Sequence, residues 1–204
     1  DSFDAHLPLV IIGAGACGLV AALAAQEAGI ELVVLERDAL PRGSTAMSSG
    51  FIPAANTRFQ HELGVTDSAE AMAEDIQKKN GFEADPAIVE LLASQSGQII
   101  EWLADQHGVP FELVEGFLYP GHRHLRMHAT PRRTGEELMG ALLNAIEAAG
   151  IDILTQARVV DLHVDDTQRV RGVTLERPDG SRESIGCDAL ILACNGYGGN
   201  VELV

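Results

Sequence analysis

Leu7-Pro8-Leu9-Val10-Ile11-Ile12-Gly13-Ala14-Gly15-Ala16-Cys17-Gly18 is the stretch that decides the fold. A continuous apolar run ending in glycine is the pattern of a strand buried on both faces of a parallel sheet. The Ala-rich residues 19–28 favour helix, and Gly29 stands where a C-terminal glycine would close it. Residues 31–36, Glu-Leu-Val-Val-Leu-Glu, read as a second buried strand, so the three elements form one βαβ unit of about 30 residues. In that context G-x-G-x-x-G has a steric and an electrostatic meaning. Gly13 permits the tight turn, Gly15 lets backbone approach a pyrophosphate and Gly18 lets helix pack on strand, while the exposed N–H groups of the helix start receive the anion; Ala14 and Ala16 count with the glycines as cofactor-binding residues. Glu36 lies 18 residues beyond Gly18, where a carboxylate accepts hydrogen bonds from ribose hydroxyls and repels a 2′-phosphate. The motif also arises by chance in a chain with 21 glycines, as an ordinary strand-to-helix turn. With strand, helix, strand and Glu36 in register, dinucleotide binding is the stronger reading. Cys17 reads as a small packing residue of the turn.

The 204 residues suffice for one ordinary domain or one carrying an insertion. At 46% hydrophobic and 22% charged residues, disorder is excluded as the main state. A net charge of -16 repels phosphate backbones and anionic lipid, so nucleic acid is not an expected partner. Cys17, Cys187 and Cys194 make no C-x-x-C pair, which points to neither a disulfide framework nor a zinc site and suggests a reducing compartment. Residues 7–25 are interrupted by Pro8 and glycines and lack a basic flank, so no signal peptide or membrane span is read there. The expectation is a soluble, cytoplasmic chain.

Residues 37–56 are rich in Gly, Ser, Thr and Ala without a period and read as loop with room for a short helix. Helices are predicted over 68–80 and 86–107, the second with Asp85 as N-cap, Pro86 at its first position and Gly108 as its stop. Trp102, at helical spacing from Leu91, Leu92 and Ile99, is assigned with them to the core. Residues 116–135 look irregular and basic, and 134–149 read as a helix closed by Gly150. A meander follows, with strands over 157–164, 169–177 and 182–186 and a Pro178-Asp179-Gly180 turn, then a separate buried strand over 189–193. No repeat is visible.

The loop alone leaves FAD and NAD open. Arg42-Gly43-Ser44-Thr45-Ala46-Met47-Ser48-Ser49-Gly50 replaces the long βαβ continuation of a nicotinamide dehydrogenase with small residues able to run under a pyrophosphate and a flat ring, which favours FAD. The glycine loop, Glu36-Arg37, Gly43-Ser44-Thr45, Ser48-Ser49-Gly50, Thr134-Gly135 and the closing Leu190-Ile191-Leu192-Ala193-Cys194-Asn195-Gly196-Tyr197-Gly198-Gly199-Asn200 together resemble the fumarate reductase and succinate dehydrogenase flavoprotein family, which includes 3-ketosteroid Δ1-dehydrogenases. The resemblance implies an α/β, Rossmann-like FAD-binding domain over 1–62 and 134–204, with a helical and basic-loop insertion over 63–133. It carries over Glu36, Arg37, Ser44 and Thr45 as FAD contacts, Ser48, Ser49 and Gly50 as the stretch beside the flavin ring, and Val159 as the backbone reader of adenine. Ala193, Asn195 and Gly196 match the final turn at the cofactor. Cys194-Asn195-Gly196 departs from the family's Ala-Thr-Gly.

Between Glu115 and Glu136 no acidic residue occurs, yet Arg123, Arg126, Arg132, Arg133, His122, His124 and His128 do. One reading is a positive patch that orients a carboxylate or carbonyl substrate; the other is arginines that are solvated or paired with acidic helices. Arg126 and Tyr119 are the catalytic candidates, Tyr119 by its resemblance to a substrate-facing tyrosine of the ketosteroid dehydrogenases. The histidine spacing fits no zinc pattern, and no metal is expected. The implied activity is FAD-dependent addition or removal of hydrogen across a carbon-carbon bond of a small molecule, next to a carbonyl or carboxylate. The alternatives are an NAD-dependent dehydrogenase domain and a non-catalytic nucleotide-binding fragment. Family members continue into a capping domain, so the chain is expected to be an amino-terminal part, truncated before that domain. Such a part would bind FAD weakly or not at all, turn over no substrate and tend to self-associate through the surface left uncovered.

Overall fold

A computed structural model describes residues 3–198 and 200–202. The elements run β1 (Ala5–Ile12), α1 (Ala16–Glu27), β2 (Leu32–Leu35), α2 (Gly43–Met47), β3 (Ile52–Pro53), α3 (Arg58–Glu62), α4 (Ala69–Lys79) and α5 (Pro86–His107). They continue with β4 (Glu112–Leu113), β5 (Met127–Ala129), α6 (Gly135–Ala148), β6 (Ile153–Leu154), β7 (Arg158–Val164), β8 (Val170–Glu176) and β9 (Arg182–Leu192). The chain forms two compact units, 1–47 with 142–204, and 48–141.

The first unit is built on a six-stranded sheet in the order β6-β2-β1-β9-β8-β7. β6, β2, β1 and β9 are parallel neighbours, while β9, β8 and β7 pair antiparallel. The apolar run predicted as a strand supplies the buried centre, Leu9, Val10 and Ile11. Its helix buries Leu19, Ala22 and Leu23. Val10, Val33, Leu35, Val173 and Leu175 form the core between strands that meet only through the topology.

The separate strands expected over 182–186 and 189–193 are one. β9 pairs with β8 along its first half and with β1 from Ile185 to Leu192, because strands on either side give the extended backbone hydrogen-bond partners through Gly186 and Cys187 and override the local turn propensity of Gly186 and Asp188. Its second half is also less buried than expected, with Leu192 62% exposed.

The second unit holds the three-stranded sheet β3-β5-β4 and helices α3, α4 and α5. Ser68 caps α4 by accepting from Ala71 N–H, and Asp85 caps α5 by accepting from Ala87 N–H. The core face of α5 is Val89, Ala93, Ile100 and Leu103, not the predicted Leu91, Leu92 and Ile99, which stand 62%, 59% and 42% exposed. Both sets share a helical period, so spacing alone did not fix the inward side. Trp102 is half-buried, its ring edge-on to His107 at 4.5 Å. α3 was not predicted. Thr57 and Gln60 open it with a reciprocal capping box.

Candidate functional site

The three glycines of the 13–18 loop answer to different neighbours. Gly13 has φ +106°, and a Cβ there would lie 2.5 Å from the Ala193 carbonyl oxygen. A Cβ on Gly18 would lie 1.9 Å from the Gly13 carbonyl oxygen, so helix α1 can approach β1 only without one. Gly15 differs. Its Cβ would meet only the Thr45 hydroxyl, at an ordinary 3.6 Å, so nothing in the protein's own packing demands glycine there.

Gly15 is also the N-cap of α1, with no capping side-chain bond and no acidic residue in the first turn. The positive end of the helix therefore faces a cleft of about 700 Å³ in the first unit. Glu36 stands at the cleft, half-buried, its Oε2 accepting from Ala14 N–H at 3.0 Å and its Oε1 from Asp38 N–H at 2.9 Å. The end of β2 is thus tied to the glycine loop by the carboxylate that the sequence singled out. Thr45 Oγ1 accepts from Ala16 N–H at 3.1 Å, and Asn195 Nδ2 donates to Ser44 Oγ at 3.0 Å. Asn195 has φ +61°, a left-handed conformation that asparagine tolerates. Val159 and Ala193 line the same cleft, as do Arg37, Val160 and Leu162. Arg37 is exposed and paired with Asp38 at 3.3 Å, and Gly196 is exposed. Cys17 and Cys194 are exposed at the cleft, so Cys17 is not the packing residue expected of it; Gly18 takes that place in the turn.

Ser48, Ser49 and Gly50 belong to the second unit. The Ser48 carbonyl accepts from Gly135 N–H at 2.8 Å, and buried Gly50, at φ +66°, packs on the Thr134 carbonyl. Tyr119 is 45% exposed, its ring 5.9 Å from Phe117 and 5.5 Å from His122. Arg126 is 1% exposed. Its Nε and Nη2 donate to the two carboxylate oxygens of Asp67 at 2.6 and 2.8 Å, and its Nη1 to Asp75 at 2.7 Å. A guanidinium spent in this way does not suit the substrate-orienting role expected of it; the paired-arginine reading of the basic stretch fits. Arg123 likewise bonds Asp75 and Glu74, each at 2.8 Å. Burial by itself would raise the Asp75 carboxyl, but the Arg123 N–H and the two guanidinium groups bring it down to about 2.

His128 is fully buried between Thr57 Oγ1 and the Arg126 carbonyl, each at 2.8 Å, and burial pushes its pKa down. Gln60 joins this network by donating to Asp67 and to the Leu125 carbonyl. The sequence reading missed Thr57, Gln60, Asp67 and Asp75; the T-x-x-Q spacing of Thr57 and Gln60 was the available signal. Among the described residues no cluster of His, Cys, Asp or Glu forms a metal site. No described helix is long and apolar enough to cross a membrane.

A probable fumarate reductase of Shewanella frigidimarina is 30% identical over 96% of this chain and 33% of its own length. A urocanate reductase of Eggerthella lenta is 30% identical over 100% of this chain and 34% of its own length. The chain thus spans about a third of the curated relatives it matches. Among solved structures, the open conformation of a flavocytochrome c3 fumarate reductase superposes with a TM-score of 0.93 at 29% identity, covering 99% of this chain and 36% of that one. A 3-ketosteroid-delta4-(5alpha)-dehydrogenase of Rhodococcus jostii RHA1 superposes with a TM-score of 0.85 at 26% identity, covering 99% and 48%. These likenesses favour the flavin reading over the nicotinamide one. The family described as FAD binding domain matches residues 9–204, and the chain belongs to it.

Proposed function

We propose that the cleft of the first unit holds the dinucleotide part of FAD, and that the chain is the cofactor-binding portion of an oxidoreductase. The reaction is addition or removal of hydrogen across a carbon-carbon bond next to a carbonyl or carboxylate of a small molecule. The observation that carries the reading is the contrast among the glycines: Gly13 and Gly18 are required by backbone contacts, whereas Gly15 keeps open a space that a Cβ would fill. A pyrophosphate fits there, against the N–H end of α1.

When bound, FAD supplies two-electron oxidation and reduction at carbon. The chain's own residues bind and orient it. Gly13, Gly15 and Gly18 shape the phosphate cradle; Ala14 and Ala16, whose N–H groups answer Glu36 and Thr45, hold its wall in place, with Ser44 beside it. Glu36 accepts the ribose hydroxyls with lone pairs not used by Ala14 and Asp38, and Arg37 flanks it. Val159 reads the adenine, and Ala193, Asn195 and Gly196 close the turn. The family likeness is what supports Ser48, Ser49 and Gly50 as a ring-side stretch, and on it we assign 1–62 and 134–204 to the cofactor-binding domain and 63–133 to an insertion. Tyr119 keeps its candidacy for substrate; Arg126 becomes an internal anchor. The setting we infer is a reducing cytoplasm without a nucleic-acid partner, and exposed Leu192, Tyr197 and Val201 offer apolar surface for self-association.

Titration of the purified chain with FAD and with NAD, followed by flavin fluorescence and by calorimetry, tests the reading. Saturable FAD binding that Gly15→Val abolishes supports it. Preference for NAD, or FAD binding indifferent to Gly15→Val, overturns it.

A further inference from the structure

The second unit carries a groove that the cofactor reading does not use. It lies between α4 and α5, which the short 80–85 segment joins, and encloses about 800 Å³. Ala69 and Ala73 of α4 and Ala87 of α5 line it. Phe82, 72% exposed, and Leu91, 62% exposed, give it an apolar wall. Glu70, Glu74 and Glu90 line it, and no Lys or Arg does. Gln77 lines it too, donating through Nε2 to the Ala84 carbonyl at 3.1 Å while its Oε1 is buried without a hydrogen-bond partner.

We propose that this groove docks a basic amphipathic helix of a partner protein. The argument is charge and shape together. An apolar stripe on the incoming helix covers Phe82 and Leu91, and Lys or Arg on its flanks meets the glutamates. Glu74 is already answered by Arg123 at 2.8 Å and Lys78 at 3.8 Å, so Glu70 and Glu90 carry the preference. α4 has 11 residues, roughly 16 Å at 1.5 Å per residue, so the seat is about three helical turns long. Among the described residues a second copy of the chain offers no matching helix: α1, α5 and α6 contain no Lys or Arg, the two lysines of α4 follow three acids, and α2 and α3 have only five residues each. Anionic lipid is repelled by the same glutamates.

The test uses the full chain and a labelled three-turn peptide with leucine at i, i+3, i+4 and i+7 and lysine elsewhere, beside a twin in which glutamate replaces lysine. Anisotropy is read at physiological ionic strength, where diffuse attraction is screened. The lysine peptide is expected to bind saturably and the glutamate twin not to. Glu70→Lys with Glu90→Lys should weaken binding by about tenfold or more, and Leu91→Ser by about tenfold. Glu31→Lys with Asp166→Lys makes the same charge change at exposed positions of the other unit and should leave binding unchanged. All these side chains are exposed, and circular dichroism checks that each variant is folded. Absence of saturable binding, equal binding of the twin, or equal weakening by the control pair overturns the proposal.

Discussion

Alanine at Gly15 and alanine at Gly18 are expected to fail in different ways. At Gly18 the new Cβ would sit 1.9 Å from the Gly13 carbonyl oxygen, a backbone atom. Reaching an ordinary contact of 3.4 Å means moving helix from strand by about 1.5 Å, at the upper end of overpacking costs, about 3 kcal/mol. For a chain of this size that is roughly 6 to 12 °C in Tm. At Gly15 the backbone has φ -79° and ψ -179°, open to alanine, and the Cβ meets nothing closer than 3.6 Å. Gly15→Ala should therefore stay within about 0.5 kcal/mol of the parent, since any cost of the cap is offset by reduced freedom of the unfolded chain. Its methyl occupies the pyrophosphate's place, and FAD affinity should fall by about tenfold to a hundredfold, about 1.4 to 2.8 kcal/mol. Melting by far-UV circular dichroism gives stability, and flavin fluorescence titration gives affinity. A Gly15→Ala protein that melts as low as Gly18→Ala, or that binds FAD like the parent, would refute the reasoning.

Glu36→Ala should cost about 1 to 3 kcal/mol in stability as well as FAD affinity, because it strips buried Ala14 N–H of its acceptor; unchanged melting and binding count against the role. Arg126→Met leaves Asp67 and Asp75 without their shared cation and should destabilise the second unit by about 3 to 5 kcal/mol, read in urea through Trp102, the sole tryptophan. A loss under about 1 kcal/mol would contradict it. The Asp75 carboxyl lies at about 2 in the folded protein against 3.8 ordinarily, so its stabilisation is complete above pH 3.8 and is lost as pH falls through 2. Trp102 fluorescence should report this acid loss, and Arg126→Met should move its onset to higher pH; an unchanged acid curve would be the contrary result.

The elements legible in the sequence were those specified locally. The strand, glycine loop, helix and second strand of the first 36 residues, and the cap Asp85, each follow from neighbours within a few positions. Glu36 was legible because its distance from the loop is set by one helix and one strand. Arg126 was not, because its partners Asp67 and Asp75 are 59 and 51 residues away and nothing local links them. Leu91 misled because a helix with apolar residues on more than one side has no unique inward face by period. β9 was divided because its composition changes midway, from the alternation of a meander to a run of aliphatics, although its backbone does not. The short strands β3, β4 and β5 exist only as partners of one another.

β9 also acts as a ruler. It pairs with β8 near Arg182 and Gly186 and delivers Ala193, whose N–H bonds the Ile12 carbonyl at 2.8 Å, to the back of the glycine loop. One residue inserted between Gly186 and Leu192 would reverse which side chains face each way beyond it and carry Ala193 off its mark. The same insertion at exposed Asp166 or Thr167, at the tip of the β7–β8 hairpin, would be absorbed outside the sheet. Length is therefore fixed on one side of this meander and free on the other, so tags, labels or grafted loops belong at 166–167.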